Sequence, residues 1–295
     1  MRKILLITSF ILMSAILLCG CNTKTAPEGP EYLYVTYNLD GEDFITLTKY
    51  MGRKTDVVVP TELDGLPVTE IGAGCFAETS VVSVTVPDSI LVIESGAFSK
   101  CAALTSVTLP EEMLYLGSQV FAECTSLKEI TLPATGVTIY SWGMFIGSGV
   151  ESVVLPENLD VLPSNFFLGS ALKEITLPAG IKTVMQGALG NCTNLTSVTL
   201  NDGLTTIEEC AFMSCPNLTE IVIPASVETL TEYAFVGCDA LTKVKFEGNA
   251  TAFKNTDENL AALYSGWTPN YTVYYHAGAE GFTSPEWEGF TTELW

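Results

Sequence analysis

The side chains that most often carry catalysis are sparse in this chain. His276 is the only histidine, and the sequence places no serine or cysteine beside it that it could activate as a nucleophile. There is also no Cys-x-x-Cys pair and no glycine-rich phosphate loop. The 34 Asp and Glu residues are scattered, whereas glycoside hydrolysis needs two carboxylates in one cleft. We therefore expect no enzymatic activity, no metal site and no cofactor.

Cysteine is more frequent, with nine residues in the chain. Five of them occupy one position of a regular spacing, namely Cys101, Cys124, Cys192, Cys215 and Cys238. Ser148 and Ser170 interrupt this series, which a disulfide framework would not tolerate. Side chains at equivalent positions of stacked units point the same way, so we predict buried free thiols. Cys75 and Cys210 lie outside the series, and the pattern leaves their state open.

The spacing of the cysteines reflects a short unit that is repeated through most of the chain. Each unit contains a run of the form V-x-(V/L/I/F), and the residue that ends the run recurs every 22 or 23 positions. These end residues are Pro87, Pro110, Pro133, Pro156, Pro178, Asn201, Pro224 and Glu247. A period of about 20–29 residues with this apolar spacing is typical of leucine-rich repeats, whose units must stack to bury their apolar faces. We predict a mainly β fold, a leucine-rich-repeat solenoid of about nine coils of 22–24 residues.

An aromatic position follows each run and predicts a column of buried rings behind the strands. Its residues are Phe98, Phe121, Phe145, Phe167, Leu189, Phe212 and Phe235. The repeat, Ile-Pro-x-x-(I/L/V)-x-x-I-x-x-x-A-F-x-x-C, is similar to that of BspA-like leucine-rich-repeat surface proteins of bacteria. Residues 64–72 and 272–284 resemble the first coil and the closing segment of that family, so the resemblance covers about residues 32–295. It implies a surface protein that adheres to host matrix proteins or to other bacteria.

The first residues are typical of an export signal. Two basic residues precede an apolar run that ends at Leu18 and is too short to span a bilayer comfortably, so we predict a signal peptide over residues 1–20. The sequence Leu18-Cys19-Gly20-Cys21 resembles a lipobox, in which the thiol of Cys21 carries diacylglycerol and anchors the chain to a membrane. A plain signal peptide cut nearby is the alternative. Either way we expect an exported protein, and with the anchor a lipid-anchored protein of the bacterial cell envelope or surface.

The remaining chain divides by composition and period. We predict a lipidated cysteine and tether over 21–31, an N-terminal cap hairpin over 32–56, the solenoid over 57–247 and a C-terminal cap over 248–295. The hairpin is indicated by Asp40-Gly41 between alternating residues. Both caps would cover solenoid ends that otherwise expose apolar core.

A contact surface is predicted on the second strand of each unit, which follows the proline. The outward positions of the first strand are mostly Thr and Ser, which suit an ordinary solvated sheet face. On the second strand, the pairs Leu91-Val92, Leu114-Tyr115 and Val137-Thr138 are apolar exceptions. We predict that Leu91, Leu114, Tyr115 and Trp142 contact a partner. The alternative is that the hairpin or a loop of the same chain covers them.

These features favour a non-enzymatic cell-surface binding or adhesion module. Its expected partners are host extracellular-matrix proteins, bacterial surface proteins or glycans. The alternative is a structural or accessory subunit of an envelope complex or of a polysaccharide-capture system. The net charge of −21 disfavours nucleic acid, and none is expected as a partner.

Overall fold

The computed structural model describes residues 31–134, 136–139, 141–231, 233–250, 252–254, 270–287 and 290–295. The predicted signal peptide over 1–20, the predicted lipidation site Cys21 and nearly all of the tether lie outside these residues. Within the described ranges, no helix has the length and apolar character that crossing a bilayer requires.

The fold is a β-solenoid of about ten turns, built from short strands. This confirms the mainly β, leucine-rich-repeat architecture predicted from the period. The strands are β1 (Tyr32–Leu39), β2 (Glu42–Tyr50), β3 (Asp56–Val58), β4 (Glu62–Leu63), β5 (Leu66–Ile71), β6 (Ser83–Thr85), β7 (Val92–Ile93), β8 (Ser106–Thr108), β9 (Tyr115–Leu116), β10 (Glu129–Thr131), β11 (Thr138–Ile139), β12 (Ser152–Val154), β13 (Val161–Leu162), β14 (Glu174–Thr176), β15 (Thr183–Val184), β16 (Ser197–Thr199), β17 (Thr206–Ile207), β18 (Glu220–Ile223), β19 (Thr229–Thr231), β20 (Lys243–Phe246), β21 (Ala252–Lys254), β22 (Thr272–Tyr275), β23 (Glu286–Trp287) and β24 (Phe290–Leu294).

The first strands of successive coils stack in parallel to form what we call the front ladder. Its paired segments are β3-β6-β8, β10-β12, β14-β16 and β18-β20-β22-β24. The register advances by one coil at each step, so that Ser83 lies beside Ser106 and Glu174 beside Ser197. Proline follows most of these strands because it cannot donate to a ladder, which keeps each strand to a few residues.

The second strands form the rear ladder, which consists of two sheets. One runs β1-β2-β5-β7-β9-β11, and the other runs β13-β15-β17-β19-β21. β1 and β2 form an antiparallel hairpin, and β2 then pairs in parallel with β5 of the first coil. At the hairpin turn Asp40 and Gly41 both have positive φ, 54° and 89°, as the type I′ turn of a two-residue hairpin requires.

The core between the ladders is dominated by the predicted column of rings. Phe98 and Phe121 stack with centroids 5.6 Å apart, and Phe121 and Phe145 follow at 5.8 Å. Phe145 and Phe167 stack at 5.3 Å. All four side chains are fully buried. The column confirms the register read from the sequence.

The seven cysteines in the described residues are buried and form no disulfide, as predicted for the five in the series. Each thiol in the series donates to a carbonyl one coil earlier, as Cys124 does to Phe98 O at 3.0 Å and Cys238 to Phe212 O at 2.9 Å. Burial raises the pKa of the Cys124 and Cys192 thiols to about 12, which keeps them protonated. Cys75 and Cys210, whose state the sequence left open, are also buried and form no disulfide within the described residues.

Candidate functional site

A break in the rear ladder accompanies a concave surface of the protein. β11 ends one sheet and β13 begins the next. In other coils, the residue after the rear strand donates its N–H to the previous coil, as Gly117 does to Ile93 O and Met185 does to Leu162 O, both near 3 Å. In the fifth coil this residue is Pro163, which has no N–H to donate. The break therefore follows from the sequence of the coil.

The coil before the break contains one extra residue. Ile139 lies beside Leu116 in the ladder, and Trp142 O accepts from Gln119 N at 3.2 Å. Leu116 and Ser118, which occupy the equivalent positions one coil earlier, are one residue closer together in the sequence. The additional residue is thus accommodated between Ile139 and Trp142.

Trp142 takes a position that is occupied by small polar residues in the two preceding coils. The N–H of Trp142 donates to Ser118 Oγ at 3.1 Å, and the N–H of Ser118 donates to Ser95 Oγ at 3.2 Å. The next residue, Gly143, has a φ of 67°, a left-handed conformation that glycine adopts at little cost. This turn fixes the backbone at Trp142, and half of the residue's surface (50%) remains exposed.

The resulting groove has a volume of about 1090 Å³ and crosses coils two to six on the rear side. We call it the rear groove. Its apolar lining residues are Val92, Leu114, Tyr115, Val137, Ile139, Trp142, Leu159, Val161, Pro163 and Met185. Its polar lining residues are Glu94, Ser118, Thr138, Ser141, Asn158, Asp160 and Ser164. A concave, largely apolar site with a few polar groups is the usual form of a binding site.

Three of the four residues predicted to contact a partner lie together in this groove. Leu114, Tyr115 and Trp142 line it, whereas Leu91 is half-buried on the neighbouring coil and does not. The hairpin does not cover the predicted surface, because Trp142 is exposed and Leu114 and Tyr115 are only partly buried.

Two of the side chains expected to point outward are buried. Val92 is 3% exposed, because it lies in register between Glu70 and Tyr115, whose side chains share its face. Val137 is 5% exposed and belongs to the floor of the rear groove. The expectation of an outward pair was therefore wrong at these two positions, and the apolar surface is a groove rather than a raised patch.

Sequence reasoning missed the polar groups of the groove. Glu94 and Asp160 are its charged lining residues, and both are carboxylates. Ser141 is 6% exposed, and its Oγ has no hydrogen-bond partner within the described part of the chain. Two sequence signals could have placed the site, namely the extra residue before Trp142 and Pro163, the proline that falls at a ladder donor position.

Glu94 is also part of a carboxyl pair beside the groove. Glu70 is 8% exposed, and Thr46 Oγ1 donates to its Oε2 at 2.9 Å. Burial first, and the neighbouring Glu94 carboxylate second, raise the pKa of Glu70 to about 7. Glu70 is therefore largely protonated below neutral pH and hydrogen-bonds to Glu94. The pair joins the hairpin strand β2, through Thr46, to the first two coils.

Elsewhere, the histidine considered for chemistry is exposed and contacts another aromatic ring. The His276 ring stacks on Trp295 with centroids 4.6 Å apart. The described residues contain no group of three or more His, Cys, Asp or Glu side chains placed to hold a metal ion.

The family of the chain follows from its repeats. A family described as "BspA type Leucine rich repeat region (6 copies)" matches residues 66–173 and 161–260, about two thirds of the chain. The chain belongs to this family. Members of the BspA type leucine-rich-repeat family are typically bacterial surface proteins, and this repeat suggests a protein-binding role.

Solved structures of similar proteins come from several bacteria. A leucine-rich repeat protein of T. pallidum is 22% identical, covering 83% of this chain and 97% of its own, with a TM-score of 0.39. A leucine rich cell surface protein of Faecalibacterium prausnitzii is 19% identical, covering 77% and 96%, with a TM-score of 0.42. A leucine-rich repeat protein of Eubacterium ventriosum is 22% identical, covering 85% and 78%, with a TM-score of 0.45. No curated protein matches the chain.

Proposed function

We propose that this protein is a non-enzymatic adhesion or binding module of the bacterial cell surface, and that the rear groove binds its protein partner. The observation that carries the proposal is Trp142, a half-exposed tryptophan on the wall of an apolar groove. Binding energy concentrates in a few aromatic and aliphatic anchors that enter such sites. Leu114 and Tyr115 lie in the same groove and would share the contact.

The front ladder offers a weaker contact surface. Its outward residues are mostly Thr and Ser, and its charges are largely paired. Glu151 forms ion pairs with Lys128 at 3.1 Å and with Lys173. Glu220 pairs with Lys245 at 2.6 Å. Exposed ion pairs contribute little. Between β6 and β16 this face exposes Val154 but no aromatic side chain, whereas Leu294 and Trp295 are exposed at its C-terminal end. The central part of the face therefore lacks the aromatic anchors that give high affinity.

The experiment compares partner capture by matched variants. The full chain, purified in mild detergent, would be used to capture host matrix proteins and bacterial envelope proteins. Trp142→Ala and Tyr115→Ala should each weaken the binding of a captured partner by about 2 kcal/mol, roughly 30-fold in Kd. The double change Thr176→Ala/Thr199→Ala on the front ladder is the control and should leave Kd unchanged. If the Thr176→Ala/Thr199→Ala variant loses as much affinity as the Trp142 and Tyr115 variants, the binding site would include the front ladder. Capture of glycans instead of proteins would contradict the proposal.

Attachment to the membrane through Cys21 is the second part of the proposal. It rests on the sequence Leu18-Cys19-Gly20-Cys21 after an apolar run. The acyl chains on Cys21 would hold the solenoid at the surface, with the tether before residue 32 as spacer. Cys21→Ser should move the protein from the membrane fraction to the soluble fraction, with Cys19→Ser as the control that stays on the membrane. An unchanged distribution of the Cys21 variant would contradict lipid anchoring.

A further inference from the structure

The charged groups that line the rear groove are of one sign. Glu94 and Asp160 are both carboxylates, and no Lys, Arg or His is among the lining residues described above. In the described ranges neither carboxylate forms an ion pair with a basic residue, whereas Glu151 and Glu220 on the front ladder each pair with two lysines. Carboxylates beside low-dielectric walls focus a negative potential. The groove therefore favours a cationic occupant.

A buried hydroxyl in the groove lacks a partner. Ser141 Oγ is inaccessible to solvent and makes no hydrogen bond within the described residues. Leaving such a group unsatisfied costs free energy, and a bound donor or acceptor would remove that cost. Since Ser141 belongs to the groove lining, rotation of its side chain would bring the hydroxyl within reach of an occupant, whose backbone N–H and C=O groups can supply the partner.

At the break, the facing edges of two strands have no hydrogen-bonded neighbour in the ladder. Thr138 and Ile139 form β11, the last strand of one sheet, and Val161 begins β13, the first strand of the next. All three residues line the groove. An unpaired strand edge is a template for an extended peptide, whose main chain supplies hydrogen bonds while alternate side chains enter neighbouring sites.

We propose that the rear groove binds an extended peptide segment that carries a bulky apolar side chain close to a lysine or arginine. The apolar side chain lies against Leu114 and Trp142, the cation lies toward Glu94 and Asp160, and the peptide backbone bonds to Ser141. The inference rests on the proposed function and specifies the chemistry of the partner segment.

The test uses a positional-scanning library of acetylated and amidated decapeptides with the full chain in mild detergent. The selected peptides should combine Leu, Phe or Trp with Lys or Arg within two residues. Replacing the selected Lys or Arg by Gln should weaken binding about fivefold or more, as measured by fluorescence anisotropy. The preference should decrease with added salt, because the groove is open to solvent.

Matched variants then identify the residues that cause the preference for the cationic peptide. Asp160→Asn and Glu94→Gln each remove one carboxylate. Each should therefore reduce the ratio of the affinity for the cationic peptide to the affinity for its Gln form. Glu174→Gln, an exposed carboxylate on the front ladder, is the control and should leave the ratio unchanged. Ser141→Ala should weaken the binding of both peptides to the same extent. Asp160→Asn keeps the test informative if Glu94→Gln disturbs the pair with Glu70.

The outcomes separate this inference from the proposed function. Selection of neutral or acidic peptides, or a cationic preference that survives both carboxylate changes, would overturn the inference. If Trp142→Ala still weakens the binding of the peptides selected in that case, the groove remains the partner site. Only the inferred cationic character of the partner would then be wrong. The same protein can be tested on an oligosaccharide array. Binding of an oligosaccharide that is lost in Trp142→Ala would overturn the inference in favour of a glycan. Partner capture that is indifferent to Trp142→Ala overturns both.

Discussion

At the scale of the residue, Glu70 shows how burial sets a protonation state. Its carboxyl is 8% exposed and faces Glu94, and burial first and the Glu94 carboxylate second raise its pKa from 4.5 to about 7. The hydrogen bond that it accepts from Thr46 opposes this shift. The folded chain therefore binds this proton more tightly than the unfolded chain does. Its contribution to stability is fully present below pH 4.5 and is lost as the pH rises to about 7.

Glu70→Gln should remove this dependence. Glutamine retains the shape of the protonated acid, can accept from Thr46 and can donate to Glu94. At pH 8 the variant should be more stable than the parent by up to about 3 kcal/mol, and near pH 4.5 the two should be equal. Denaturant unfolding between pH 4.5 and 8 measures the difference, with Glu174→Gln as the exposed control. A constant difference across this range would show that Glu70 does not titrate as inferred.

At the scale of the element, Pro163 interrupts the rear ladder and so opens the groove. Met185 holds the equivalent position one coil later and donates to Leu162 O at 3.0 Å. Pro163→Met should restore a donor toward the preceding coil, narrow the groove and weaken partner binding. One ladder hydrogen bond contributes about 1 kcal/mol, so the new amide should exchange with solvent roughly fivefold more slowly than an unpaired one. Hydrogen exchange at residue 163 measures this, and an amide that exchanges at the unprotected rate would contradict our explanation of the break.

The elements differ in how far the sequence predicted them. The period placed the front strands, the Phe121 ring column and the thiol series correctly, because every coil repeats the same packing constraints. The groove was not predicted, because an extra residue and a proline act together across two coils that the sequence separates by about 20 positions. Val92 and Val137 were misplaced because their burial is set by side chains of neighbouring coils, not by strand alternation.

At the scale of the whole molecule, the stacked coils share one core rather than folding as separate units. The ring column runs from Phe76 through Phe98, Phe121 and Phe145 to Phe167, with adjacent centroids 5.0–5.8 Å apart. It resumes with Phe212 and Phe235 at 5.3 Å, after Leu189 takes one position. Each ring packs between coils, so the stability of one coil depends on its neighbours.

Phe121→Ala should therefore destabilise more than its own coil. Removing a fully buried phenylalanine costs about 3–5 kcal/mol, since it leaves a cavity that the surroundings fill only partly. The loss should appear in denaturant unfolding, and hydrogen exchange should accelerate in the coils that contribute Phe98 and Phe145 as well as in the coil of Phe121. Phe121→Leu is the matched control, because Leu189 shows that the column accepts leucine, and its cost should be clearly smaller. Faster exchange confined to the coil of Phe121, with its neighbours unchanged, would mean that the rings fill space within coils and do not couple them.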